Sequence, residues 1–175
     1  MKYKALIIFL LLLFPYYVLA QVEQNKTLLL IKQKDQYTQQ KERKIKEAIN
    51  LLRVPNASAE QRYAINQRLF DEFKTYISDS AVYYVKQNIR IAEELQKPDL
   101  QNDSHLSLAS LYIISGNYLD AADLLRAIDK NQLQQSQLIQ YYNCYLNLYN
   151  NYAFNSPDAK TYIAKSNTYR DLLLN

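Results

Sequence analysis

Residues 108–125 read LASLYIISGNYLDAADLL. Leu108, Ala109 and Tyr112 lie before Gly116, and Tyr118, Ala121, Leu125 and Ile128 lie after it, each set at helical spacing. The residue types fit two helices folded against each other. Small Ala109 lets a partner helix come close, and Tyr112 fills the inside of the hairpin. Gly116 is expected to end the first helix with a positive φ. Tyr118 then packs over the turn, and small Ala121 sits where the second helix crosses the first.

This order of small, aromatic and glycine positions matches the tetratricopeptide pattern. His105 stands where that pattern usually carries a tryptophan. The same hairpin can be found on either side. Asp79-Ser-Ala81, Asp120-Ala121 and Asp158-Ala159 each follow a polar break and each is expected to open a helix. Leu111-Tyr112 and Leu148-Tyr149 align in the first helices of the second and third hairpins. The three alanines Ala81, Ala121 and Ala159 recur at a period somewhat above the usual length of about 34 residues. The spacing therefore predicts an all-α chain: an α-α superhelix, or solenoid, of about three helical hairpins.

Composition agrees. The 175 residues contain one glycine, too few for the tight turns of a sheet protein of this size, and 17 tyrosines, each with an apolar ring and a polar tip. Residues 57–175 are expected to be the repeat domain, opened by a capping box at Ser58-Ala-Glu-Gln61. Residues 21–56 are expected to form a helical arm. Its run KQKDQYTQQKERKIKE carries mixed charges at i, i+3 and i+4, as on a solvated helix, while Ile45, Ile49 and Leu52 form an apolar stripe at its end. The sharper alternative for the arm is a coiled coil forming a homodimer, but its apolar seam lapses over Lys32 to Lys44.

Residues 1–20 read as a secretory signal peptide. Lys2 and Lys4 precede an apolar run from Ala5 to Phe14, Pro15 breaks it, and Val18-Leu19-Ala20 supplies a cleavage site. An uncleaved signal would instead be a membrane anchor. The expectation is an exported, periplasmic protein. The net charge of +4 then says little about nucleic acid, and no direct nucleic-acid contact is expected. The single cysteine, Cys144, cannot form an internal disulfide, so stability must come from the core. Asn25, Asn56 and Asn102 open glycosylation tripeptides of the kind that arise by chance in an asparagine-rich chain.

The runs QRYAINQRLFDEFKTYISDSAVYYVKQNIRIAEEL (61–95) and LASLYIISGNYLDAADLL (108–125) together resemble the extracytoplasmic part of a family of bacterial regulators with tetratricopeptide-like repeats. The resemblance covers roughly Gln21 to the end. It implies a periplasmic repeat domain that is normally followed by a transmembrane helix, a coiled coil and a cytoplasmic helix-turn-helix DNA-binding domain. None of these last three lies in the 175 residues, and Leu172-Leu173-Leu174 makes a poor polar cap for a solenoid end. The expectation is the extracytoplasmic sensor module of a membrane-linked transcriptional regulator, tethered through a further C-terminal segment or an uncleaved signal. The alternative is a stand-alone periplasmic adaptor or peptide-binding scaffold.

No enzyme is expected. One histidine and one cysteine cannot make a typical four-ligand zinc site. Both are expected to pack inside the helices. Glu93-Glu94 and Asp71-Glu72 are neighbours in sequence and diverge by about 100° on a helix. One glycine excludes the glycine-rich phosphate loops, and no cofactor or metal is expected. The best candidate is a contact surface. Tyr142, Tyr145, Tyr149 and Tyr152, with Leu138, fall on one helical face that suits a core. Asn143, Asn147, Asn150 and Asn151 fall on the other, where donating and accepting amides could bind the backbone of a protein or peptide partner. If first helices line one groove, it would also hold Asp103, Leu106, Ser110, Ile113 and Ile114, then Tyr63, Asn66, Phe70, Phe73 and Lys74. The plain alternative is a solvated polar face.

Overall fold

A computed structural model describes residues 28–75 and 78–174. The signal segment, Asn25 and Ile77 lie outside them. Two compact units are distinguished, Met1–Lys44 and Ile45–Asn175. The first unit carries the beginning of helix α1, residues 28–52. There Leu28, Leu29, Leu30, Ile31 and Tyr37 are exposed, and the Lys41 ammonium lies 5.7 Å from the centre of the Tyr37 ring.

The second unit begins with the last turns of α1 and continues through α2 (Ala59–Phe73), α3 (Ser78–Glu94), α4 (Pro98–Ile114), α5 (Tyr118–Ala127), α6 (Gln135–Asn155) and α7 (Ala159–Leu174). A short 3₁₀ turn, Lys130–Gln132, precedes α6. The described residues contain no strand. α2 packs on α3, α4 on α5 and α6 on α7, so the three hairpins are those that the sequence predicts. α3 also packs on α4, and α4 on α6, which stacks each hairpin on the next.

Local chemistry sets the helix ends. The Ser58 hydroxyl accepts from the Gln61 amide at 3.2 Å, and the Gln61 side chain accepts from the Ser58 amide at 2.8 Å. This is the capping box read in the sequence. A second one, which the sequence reading missed, joins Gln134 and Gln137 at the start of α6. Gly116 ends α4 at φ 83. The Asn117 amide reaches the Tyr112 carbonyl at 2.8 Å and the Gly116 amide reaches the Ile113 carbonyl at 3.2 Å, the two bonds of a Schellman motif. Gln96 does the same work at the end of α3 without being glycine. Its φ is 52, and the Lys97 amide bonds the Ala92 carbonyl at 3.1 Å.

Three apolar clusters hold the unit together. Ile45 and Ala48 of α1 join Leu69, Phe70, Phe73, Ala81, Val85, Leu108 and Leu111. Leu106, Ala109, Ile113, Ala121 and Leu125 join Cys144, Tyr145 and Leu148 further along. A smaller one unites Tyr63, Ile91 and Ala92. Tyr112 is packed against the first two, so it couples neighbouring hairpins. Leu69, Leu106, Leu125 and Leu148 are fully buried, and each contributes about 2 kcal/mol of transfer free energy. Ala81, Ala109 and Ala121 are wholly inaccessible, which fits small residues at helix crossings. Ala159 is only half-buried.

The tyrosines are the mortar of the last hairpin. Tyr145 stacks on Tyr169 at 4.7 Å and meets Tyr141 edge-on at 4.9 Å. Tyr149 contacts Tyr145, Tyr152, Tyr162 and Tyr169. Burial raises the pKa of Tyr145, and it pushes the Tyr169 phenol up to about 12. Both rings therefore carry neutral hydroxyls at physiological pH.

Candidate functional site

A cleft of about 300 Å³ runs between α4 and α6, lined by Ser110, Ile113, Ile114, Cys144, Asn147 and Asn151. It exists because two first helices pack directly on each other. Polar bonds fix their register at both ends. Near the helix starts, the buried Gln137 amide donates to the Asp103 carboxylate at 2.7 Å and to the Asp99 carbonyl at 2.9 Å. Gln134 donates to the Asp99 carboxylate at 2.8 Å. Near the other end α5 takes the place of α4: its Tyr118 hydroxyl donates to Asn151 Oδ1 at 3.1 Å, and Tyr152 donates to the Tyr118 carbonyl at 3.4 Å.

The asparagines do not act as one ladder. Asn143 is exposed and donates back to the Ile139 carbonyl at 3.0 Å, outside the cleft lining. Asn150 is exposed and is not part of the lining either. Asn151 lines the cleft, but its oxygen is taken by Tyr118 and its nitrogen by the Asn147 carbonyl at 2.9 Å. The Asn147 side chain lines the cleft, is exposed, and makes no hydrogen bond among the described residues. It is the one asparagine of the four whose amide is free to meet a ligand there.

The rest of the expected groove is corrected by packing. Phe70 and Phe73 are 6% and 8% exposed and belong to the core beside Ile45 and Ala48, and neither lines the α4–α6 cleft. Ile45 and Ala48 of α1 share that cluster with Ala81 and Val85 of α3 and Leu108 and Leu111 of α4, so residues of three other helices pack around these rings. Leu106 is fully buried as well, and Tyr63 turns inward to donate to the Leu100 carbonyl at 3.0 Å. Ile113 is 5% exposed yet reaches the cleft wall, while Ile114 stands 71% exposed at its rim. Cys144 was not expected in the lining, although it stands three and seven residues before Asn147 and Asn151, the spacing of one helical face.

The cleft suits contact more than chemistry. Burial pushes the Cys144 thiol up to about 12, so it stays protonated, with Sγ 3.8 Å from the Leu106 carbonyl. His105 is half-buried, and desolvation lowers its pKa against an opposing pull from Glu93. Among the described residues, no group of three or more His, Cys, Asp or Glu side chains could hold a metal ion. No described helix is long and apolar enough to cross a membrane.

Residues 31–175 match the family model described as the SusR N-terminal TPR domain. Neither the curated proteins nor the solved structures gave a match. The architecture is that of a TPR-like α-superhelix. Such domains generally mediate protein–protein interactions, and scaffolds of this kind are typically non-enzymatic.

Proposed function

The chain belongs to the SusR N-terminal TPR domain family, and we propose that it acts as an exported interaction and sensor module, the extracytoplasmic part of a membrane-linked transcriptional regulator. In this reading the α4–α6 cleft receives an extended peptide segment of a protein partner. The free Asn147 amide bonds the partner's backbone, donating and accepting at once. Ile113 and Ile114 supply the apolar wall, and small Ser110 lines the cleft one turn earlier. The observation that carries this reading is the exposed, unbonded Asn147 amide facing an apolar wall across a cleft of about 300 Å³.

Two experiments test it. Peptides selected on the purified protein should lose binding when Ser110→Arg fills the cleft and when Asn147→Ala removes the amide, with helicity and Tm unchanged. Binding that survives both substitutions removes the cleft from the proposal. Alkaline phosphatase fused after Leu174 should be active in a bacterial host, since that enzyme matures only outside the cytoplasm. An inactive fusion overturns export and the regulator reading with it.

A further inference from the structure

A second concavity, of about 420 Å³, lies where the end of α1 meets α2 and α3. It shares no residue with the α4–α6 cleft. Arg62 lines it from α2 and Arg90 from α3, so two arginines border one space. Among the described residues, Arg62 makes one long bond, to the Ala57 carbonyl at 3.4 Å. Arg90 is exposed and has no partner among the described residues. Glu94 lines the same space one turn further on without forming an ion pair to Arg90. The lining therefore carries two positive charges against one negative.

The floor is the more telling part. Asn66 is 5% exposed and lines the cavity, yet no hydrogen bond reaches its side chain among the described residues. Among the described residues the fully enclosed side-chain atom without a partner is Asn88 Oδ1, so the Asn66 amide is not sealed in and can meet a polar atom in the cavity. The wall is aromatic. Tyr84 is held in place by stacking on Phe73 at 5.7 Å, and Tyr83, 57% exposed, meets Tyr84 edge-on at 5.1 Å.

We propose that this cavity binds a small organic anion, with its carboxylate or phosphate between Arg62 and Arg90, its apolar body against Tyr83 and Tyr84, and a polar atom on the Asn66 amide. The guanidinium fork matches either oxyanion. The volume falls in the range of small-molecule sites. The site is independent of the peptide cleft and stands whether or not that cleft has an occupant.

Benzoate and phenyl phosphate are suitable probes for the purified protein, with benzyl alcohol as the neutral control, followed by calorimetry and by the Tyr83 and Tyr84 ring signals. At least one anion should bind and shift those rings, more weakly at higher salt, while benzyl alcohol should not. Tighter binding of phenyl phosphate identifies a phosphate ligand, and tighter binding of benzoate a carboxylate. Arg90→Gln, at an exposed position, should weaken binding roughly tenfold without moving Tm. Asn66→Leu should abolish binding while helicity is retained. The proposal is overturned if neither anion binds, if benzyl alcohol binds as well as they do, if Arg90→Gln leaves affinity unchanged, or if Asn66→Leu, still folded, binds as before.

Discussion

Gln137 Nε2 donates to Asp103 Oδ1 at 2.7 Å, across the junction of α6 with α4. The same nitrogen reaches the Asp99 carbonyl, and the Gln137 oxygen accepts from the Gln134 amide at 3.1 Å. One side chain, 3% exposed, thus caps its own helix and sets the register of the next hairpin. Gln137→Leu strands the Gln134 amide and the Asp103 carboxylate together. It should cost about 2–3 kcal/mol, measured by urea unfolding. A loss under about 0.5 kcal/mol would show that the junction does not depend on this network.

Gly116 and Gln96 hold the same left-handed turn with different residues, at φ 83 and φ 52. A Cβ on Gly116 would meet nothing within 4 Å, so Gly116→Ala tests backbone strain alone. It should destabilise by about 1 kcal/mol. Gln96→Gly should do the reverse and stabilise by up to about 1 kcal/mol, since it removes the same strain. Thermal unfolding of the two variants should move Tm in opposite directions.

The buried tyrosines give the protein an alkaline limit. Tyr169 has its pKa raised from 10.0 to about 12, first by burial and then by Tyr149, Tyr141 and Tyr142, and Tyr145 is raised also. A raised phenol stays neutral in the folded state at a pH where the unfolded chain ionises. Its stabilising contribution is therefore complete below pH 10.0 and is lost as pH rises toward about 12. Stability should be flat on this account through neutral pH and fall above 10.0. Tyr169→Phe should reduce that slope in a pH series of denaturant midpoints.

Cys144 should resist alkylation. Its thiol is 4% exposed and pushed up to about 12 by burial, which leaves almost no thiolate near neutral pH. Iodoacetamide should label it slowly in the native protein and rapidly in urea. Fast native labelling would mean that the α4–α6 cleft opens to solvent.

Residues far apart in the chain explain what the sequence left open. Gly116, the Ser58–Gln61 box and the spacing of Ala81 and Ala121 were legible because each acts within one turn or one helix crossing. The asparagine stripe was legible as a stripe, yet its availability was not. Tyr118, in another hairpin, takes the Asn151 oxygen, while Asn147 has no such neighbour. Phe70 and Phe73 sit at the spacing of an exposed groove and are buried because residues of α1, α3 and α4 close over them in one cluster. Asn66 was expected in a groove, but the other walls of its cavity were not legible, since they come from three helices. By itself the sequence determined the helices, their ends and their pairing, all consequences of short-range periodicity and backbone chemistry. The tertiary structure alone decided which faces meet other helices and which polar groups remain unbonded, because burial depends on the neighbour that arrives and not on the residue that waits for it.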